Sequence, residues 1–204
     1  MRRSARGLAP LALLAASACV AFSNSSQPTQ FYLLSSSASR DPEAASGLDP
    51  EGLAIGVGPI EIPPHLNRSQ IVTRTEGNRL KLAEFHRWGE PLRANVARVI
   101  AEDLAVLLAT DRVSVYPWPR SVPIEYRVRV DIRRFAADPE GTVRLRCRWT
   151  LADAAGKALR IRMARFDAPA TAGDYDSIVA AMSSSLTQLS GELGAAIREV
   201  HGGG

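Results

Sequence analysis

Cysteine is nearly absent from this chain: of 204 residues, only Cys19 and Cys147 carry a thiol. If Cys19 is modified, as its surroundings suggest, Cys147 has no partner and no intramolecular disulfide is expected. Histidine is almost as scarce, and His65, His86 and His201 lack the spacing of metal ligands. There is no phosphate-binding glycine loop, because Gly56-Val57-Gly58 runs into Pro59 rather than into a helix start. A nucleophile elbow of the G-x-S-x-G type is missing too. No apolar run approaches the roughly 20 residues needed to span a bilayer. Glu84 and Glu90 lie close to His86 in sequence, but the three read as solvated polar residues ahead of a helix. Cys147 falls on the apolar phase of a strand, where a small thiol packs and does not react. The chain therefore reads as a protein without an enzyme's residue set and without a metal or bound cofactor.

What is present begins at the first residue. Arg2, Arg3 and Arg6 precede the short apolar run Leu8–Ala16, and the small residues Ala16-Ser17-Ala18 lead straight to Cys19. A basic start, a short apolar core and small residues mark a cleavable export signal. With cysteine next, the arrangement resembles the lipobox of bacterial lipoproteins, in which the peptidase admits small residues and the cysteine thiol takes a diacylglycerol. Residues 1–18 are thus expected to be a signal peptide. Residues 19–30 are the lipidated cysteine and a polar tether, and residues 31–201 form a single domain. More than one acyl chain, at about 0.8 kcal/mol per buried CH₂, gives stable anchoring. Val20, where an aspartate is linked with inner-membrane retention, favours the outer membrane. Loss of three arginines lowers the net charge from +4 to +1. With export, this leaves nucleic acid a poor partner.

Along the mature chain, Phe31–Leu34 reads as a first strand and Leu53–Val57 as a second, stopped by Gly58-Pro59. Ile60–Pro64 is extended, since proline disfavours helix in the residue before it. Gln70–Thr75 and Arg79–Ala83 suit a hairpin around Glu76-Gly77-Asn78. A helix starts near Gly89-Glu90-Pro91 and carries Leu92, Val96, Val99, Ile100, Leu104, Leu107 and Leu108 at helical spacing. Val113–Tyr116 is a further strand. Apolar and polar residues then alternate through Tyr126–Arg133 and Val143–Leu151, and a third run spans Leu159–Phe166. These read as an antiparallel meander with one buried face. Ile178, Met182, Leu186, Leu189, Leu193, Ile197 and Val200 make one apolar stripe on a closing helix. The expected fold is α/β: one two-layer domain with a mixed, mostly antiparallel sheet, a C-terminal-half meander and two main helices on one face.

Residues 124–166 hold ten arginines and one lysine against five acids. This charge lies on the polar phase of the meander. It suits either a solvated sheet face or a surface for anionic headgroups or an acidic partner.

Phe31–Leu34, Ile55–Arg68, Gln70–Arg74, Trp88–Pro91 and Val113–Trp118 together resemble the PqiC-type auxiliary lipoproteins, also called ABC-type transport auxiliary lipoprotein components. The likeness covers most of the mature chain in order. It departs from the family pattern at Ala16 and at Pro64-His65, where an aromatic is commoner after the first proline. The resemblance implies a non-enzymatic subunit of an envelope lipid-trafficking system, docked at the periplasmic face of the outer membrane. It also implies an MCE-domain protein and an inner-membrane permease as partners, and a homo-oligomeric ring. Within that reading, residues 59–74 are the candidate partner-facing loop, with Pro63, Pro64, Arg68 and Arg74 as contact residues. Ile60, Ile62 and Leu66 could equally pack beneath it. Trp88 and Trp118 flank the first helix as core caps. An alternative is a carrier lipoprotein that itself holds an acyl chain between sheet and helices.

Overall fold

The structure, a computed structural model, describes residues 27–36 and 48–203. The signal segment, Cys19 and the first part of the tether lie outside the described residues. Among those described, the elements follow the order β1 (Gln30–Tyr32), β2 (Ile55–Glu61), β3 (Gln70–Arg74), β4 (Leu80–Trp88), α1 (Leu92–Leu108), β5 (Val113–Val115), β6 (Tyr126–Ala137), β7 (Thr142–Asp153), β8 (Ala158–Pro169) and α2 (Tyr175–Gly202).

The strands divide between two sheets. Five form the main sheet in the order β5-β2-β6-β7-β8, and three form a smaller one in the order β1-β4-β3. The meander β6-β7-β8 is antiparallel throughout, as its two Gly-containing turns require. β2 lies parallel to both β5 and β6. Such a parallel neighbour needs a long crossover, which here contains the β3–β4 hairpin and α1. Both helices pack on one face of the main sheet, α1 over β2 and β5 and α2 over β6, β7 and β8.

Each helix shows why it begins and ends where it does. The side chain of Asp174 caps α2 by accepting from the N–H groups of Asp176 and Ser177. The predicted stripe from Ile178 to Ile197 is buried, and it lies against the meander. α1 has no side-chain cap at Pro91, and it stops at Ala109, which takes a left-handed conformation (φ 51°). The Ala109 N–H bonds back to Ala105 and Val106, closing the final turn.

Three local expectations are corrected. β2 does not stop at Gly58-Pro59 but runs on to Glu61, with a register shift between Val57 and Ile60. The missing proline donor falls at that irregularity, where a ladder tolerates it. Gly58 (φ 122°) is needed there, because a Cβ would sit 2.6 Å from that of Tyr116. The strand after the hairpin continues past Ala83 to Trp88, so Glu84 and His86 belong to β4 and not to a solvated approach to α1. Finally, the apolar phase of β8 switches. Ala164, Phe166 and Ala168 pair beside core residues of β7, whereas Ile161 and Met163 pair with Thr150 and Arg148 on the outer face. There they are 51% and 56% exposed.

Candidate functional site

The loop between β2 and β3 is built from inside outward. Ile62 and Leu66 are buried, as is Ile60 at the end of β2, so the packing role anticipated for these three holds. Above them the loop closes on itself. The N–H of Leu66 donates to the Pro63 carbonyl (2.9 Å), and that of Asn67 to the Pro64 carbonyl (3.2 Å). The Trp88 N–H reaches the Ser69 carbonyl at 2.7 Å, tying the loop to the end of β4. Two prolines and these bonds leave little conformational freedom. Pro64, Asn67, Arg68 and Ser69 are exposed, and Pro63 is half-buried. The loop borders two clefts, one of about 500 Å³ reaching Trp88 and Glu90, the other of about 450 Å³ reaching Ile60, Ala97 and Tyr116.

Of the four candidate contact residues, Pro63, Pro64 and Arg68 thus share one rigid loop. Arg74 stands apart, at the far end of β3, five residues long and rising about 3.3 Å per residue. It lines a different cavity, with Arg134, Asp138 and Arg144. Trp88 is buried at the end of β4, and Trp118 is half-buried against Gly56, where a Cβ would meet its ring at 2.9 Å.

Arg134 reaches this second site through a bulge. The ladder between β6 and β7 shifts between Ile132 and Arg134, so Arg134 pairs with Arg146 while Phe135 returns to the core. Burial would raise the Asp138 carboxyl, but hydrogen bonds from Arg144 and from the Thr142 N–H hold it below its ordinary value. The hydrogen bond from Arg146 likewise holds Asp167 low, helped by Arg144. Arg134 is 4.0 Å from Asp138, too far for a hydrogen bond, and its buried Nε has no partner among the described residues. Burial and the neighbouring Arg74 and Arg144 lower its affinity for its proton.

Sequence reasoning missed two further clusters. Asn95, fully buried on α1, accepts from the Leu34 N–H (2.9 Å) and donates to Glu90, while Arg98 bridges Glu90, Glu102 and the Leu34 carbonyl. This fastens the N-terminal segment to α1. His86 stacks on Tyr175 at 4.0 Å between centroids, and its Nδ1 lies 2.8 Å from the Tyr32 hydroxyl. That hydroxyl donates to Gln30, leaving its oxygen to accept from Nδ1–H. Neither contact leaves a periodic trace in sequence. Cys147 is buried, and desolvation pushes its thiol up to about 12. Among the described residues no three His, Cys, Asp or Glu side chains are grouped to hold a metal, and no helix is long and apolar enough to cross a membrane.

Comparison with known proteins places this geometry. The structure resembles a crystal structure of an uncharacterised protein at TM-score 0.67 and 17% identity, covering 84% of this chain and 99% of that one. It also resembles a Xanthomonas campestris protein of the DUF330 family model at TM-score 0.62 and 15% identity, covering 80% of this chain and 92% of the other. These likenesses show a shared fold. No curated protein matches the sequence. The family model for the ABC-type transport auxiliary lipoprotein component matches residues 32–194, from β1 into α2, a description that belongs to transport and not to an enzyme class. The chain belongs to the ABC-type transport auxiliary lipoprotein component family.

Proposed function

We propose that this chain is a non-enzymatic subunit of an MCE-type intermembrane lipid transport system, anchored through Cys19 at the periplasmic face of the outer membrane. There it docks an MCE-domain protein that works with an inner-membrane permease. The observation that carries this reading is the loop 62–69: Ile62 and Leu66 are buried, its own hydrogen bonds stiffen it, and Pro64 and Arg68 stand exposed. A rigid exposed loop loses little entropy on binding, which suits a dock. Membership of a transport auxiliary family supplies the context.

The packing favours docking over lipid carriage. A carrier needs an apolar cavity between sheet and helices, yet Trp149, Phe135, Leu145, Leu186 and Leu193 fill that space. The test is in-cell photocrosslinking from Pro64 and Arg68, followed by mass spectrometry, with native Cys19 and with Cys19→Ala. An acylated Cys19 N-terminus and an MCE-domain protein crosslinked from the loop are the expected result. Unmodified protein without such a partner would sink the proposal.

A further inference from the structure

The outer face of the main sheet carries many arginines, and most of them lie open to water or are matched with an acid. At one end the pattern changes. Arg74 from β3, Arg134 from the bulge of β6 and Arg144 from β7 converge on a cavity of about 430 Å³. Arg144 is committed to Asp138, and Arg146 beside it to Asp167. That leaves Arg74, for which no ion pair or side-chain hydrogen bond is seen among the described residues, and Arg134, whose contact with Asp138 is a long 4.0 Å and whose buried Nε has no partner among the described residues. Two further acids, Glu76 and Glu140, also line the cavity and are exposed to solvent.

Guanidinium groups converging from three strands match the oxygens of a phosphate, with planar forks that donate in pairs. A phosphate between Arg74 and Arg134 would supply the missing acceptor and relieve their mutual repulsion. We infer that this cleft is a binding site for a phosphate group, with Arg74 and Arg134 as its principal donors and Arg144 as a third, held in place by Asp138.

The path of the chain points to the source of that phosphate. The described fold is entered at Gln30, which is bonded to Tyr32, and Tyr32 meets His86 stacked on Tyr175. Tyr175 lines a cavity of about 280 Å³ that shares Arg74 and Asp138 with the arginine cleft. The tether therefore enters on the cleft's side of the molecule. From residue 19 to residue 30, an extended chain spans at most roughly 40 Å. If the anchor is Cys19, as proposed above, the cleft stays within reach of phospholipid headgroups. This last step rests on that anchoring, whereas the phosphate site itself does not.

Isothermal titration of the purified full chain tests the site with three probes: inorganic phosphate, a short-chain phosphatidylglycerol, and the matching diacylglycerol without phosphate. Binding of the two phosphate probes, weakened about tenfold by Arg74→Gln and again by Arg134→Gln, is expected. Arg148→Gln, exposed elsewhere on the same face, should change nothing. Tighter binding of phosphatidylglycerol than of phosphate assigns the site to lipid headgroups, and equal binding assigns it to free phosphate. Absence of binding, equal losses in Arg148→Gln, or diacylglycerol binding as tightly as phosphatidylglycerol would overturn the inference. Arg74→Gln removes no ion pair or side-chain hydrogen bond seen among the described residues, so its thermal unfolding should stay close to the parent. Separately, Cys19→Ala should release the chain from the membrane fraction. If it does not, the anchoring fails while the titration still decides the cleft.

Discussion

On β6 and β7 one backbone presents two chemistries. Toward the helices it sets Val128, Val130, Ile132, Leu145, Cys147 and Trp149, all buried; away from them it sets Arg127, Arg129, Arg144, Arg146 and Arg148, which retain contact with water. Burying one large apolar side chain contributes about 1.5–3 kcal/mol. An exposed ion pair contributes about 0–1 kcal/mol, because water screens it and two long side chains must be held still. Stability therefore resides on one face, while the other is free to carry a function. The arginine cleft is where the division blurs, since Asp138 is buried among arginines that face outward.

The most direct way to expose the contrast is Trp149→Ala. Trp149 is fully buried, with Nε1 donating to Glu192 at 3.1 Å. The substitution is expected to cost about 3–5 kcal/mol in chemical denaturation. A loss below about 1 kcal/mol would mean that the inner face is not the stabilising one. Asp138→Asn probes the blurred boundary and should cost about 2 kcal/mol, since Arg144 and the Thr142 N–H lose a charged acceptor. Asp138 and Asp167 are both held below the ordinary 3.8. Their contribution is therefore present above that pH and disappears as pH falls through the lower folded values. Stability measured from pH 6 downward should fall in that acid range, and less steeply in Asp138→Asn. Reactivity offers a third probe. With its thiol pushed up to about 12 from 9.0, native Cys147 should react with iodoacetamide about a thousandfold more slowly than a free thiol. Rapid labelling in the folded protein would show the inner face to be open. The smallest effect belongs to Arg148→Ala, expected within about 0.5 kcal/mol of the parent. A larger loss would give the outer face a structural role.

The meander and both helices were legible because their cause is local. Period-two alternation through Tyr126–Leu151, and spacings of three and four through Ile178–Ile197, report one buried face directly. The bulge at Arg134 also left a mark, since Ile132-Arg133-Arg134-Phe135 puts two polar residues where alternation allows one. The extension of β2 past Pro59 was hidden, because proline signals an end unless a bulge receives it. The run Leu159–Phe166 reads only as part of a meander with one buried face. Edge position and register turned Ile161 and Met163 outward.

The candidate sites divide in the same way. Pro63, Pro64 and Arg68 are neighbours in sequence, so their common loop was visible before the fold. Arg74, Arg134 and Arg144 come from three strands in two sheets, and no spacing along the chain predicts their meeting.

The sequence by itself determined the buried face of the meander, the apolar stripe of α2 and the family, since side-chain periodicity and local turn chemistry act within a few residues. Tertiary structure alone decided the separation of β1, β3 and β4 into a second sheet, the insertion of β2 between β5 and β6, and the gathering of arginines around Asp138. Those outcomes depend on pairings between distant strands, whose register is set by packing across the whole domain and not by any one segment.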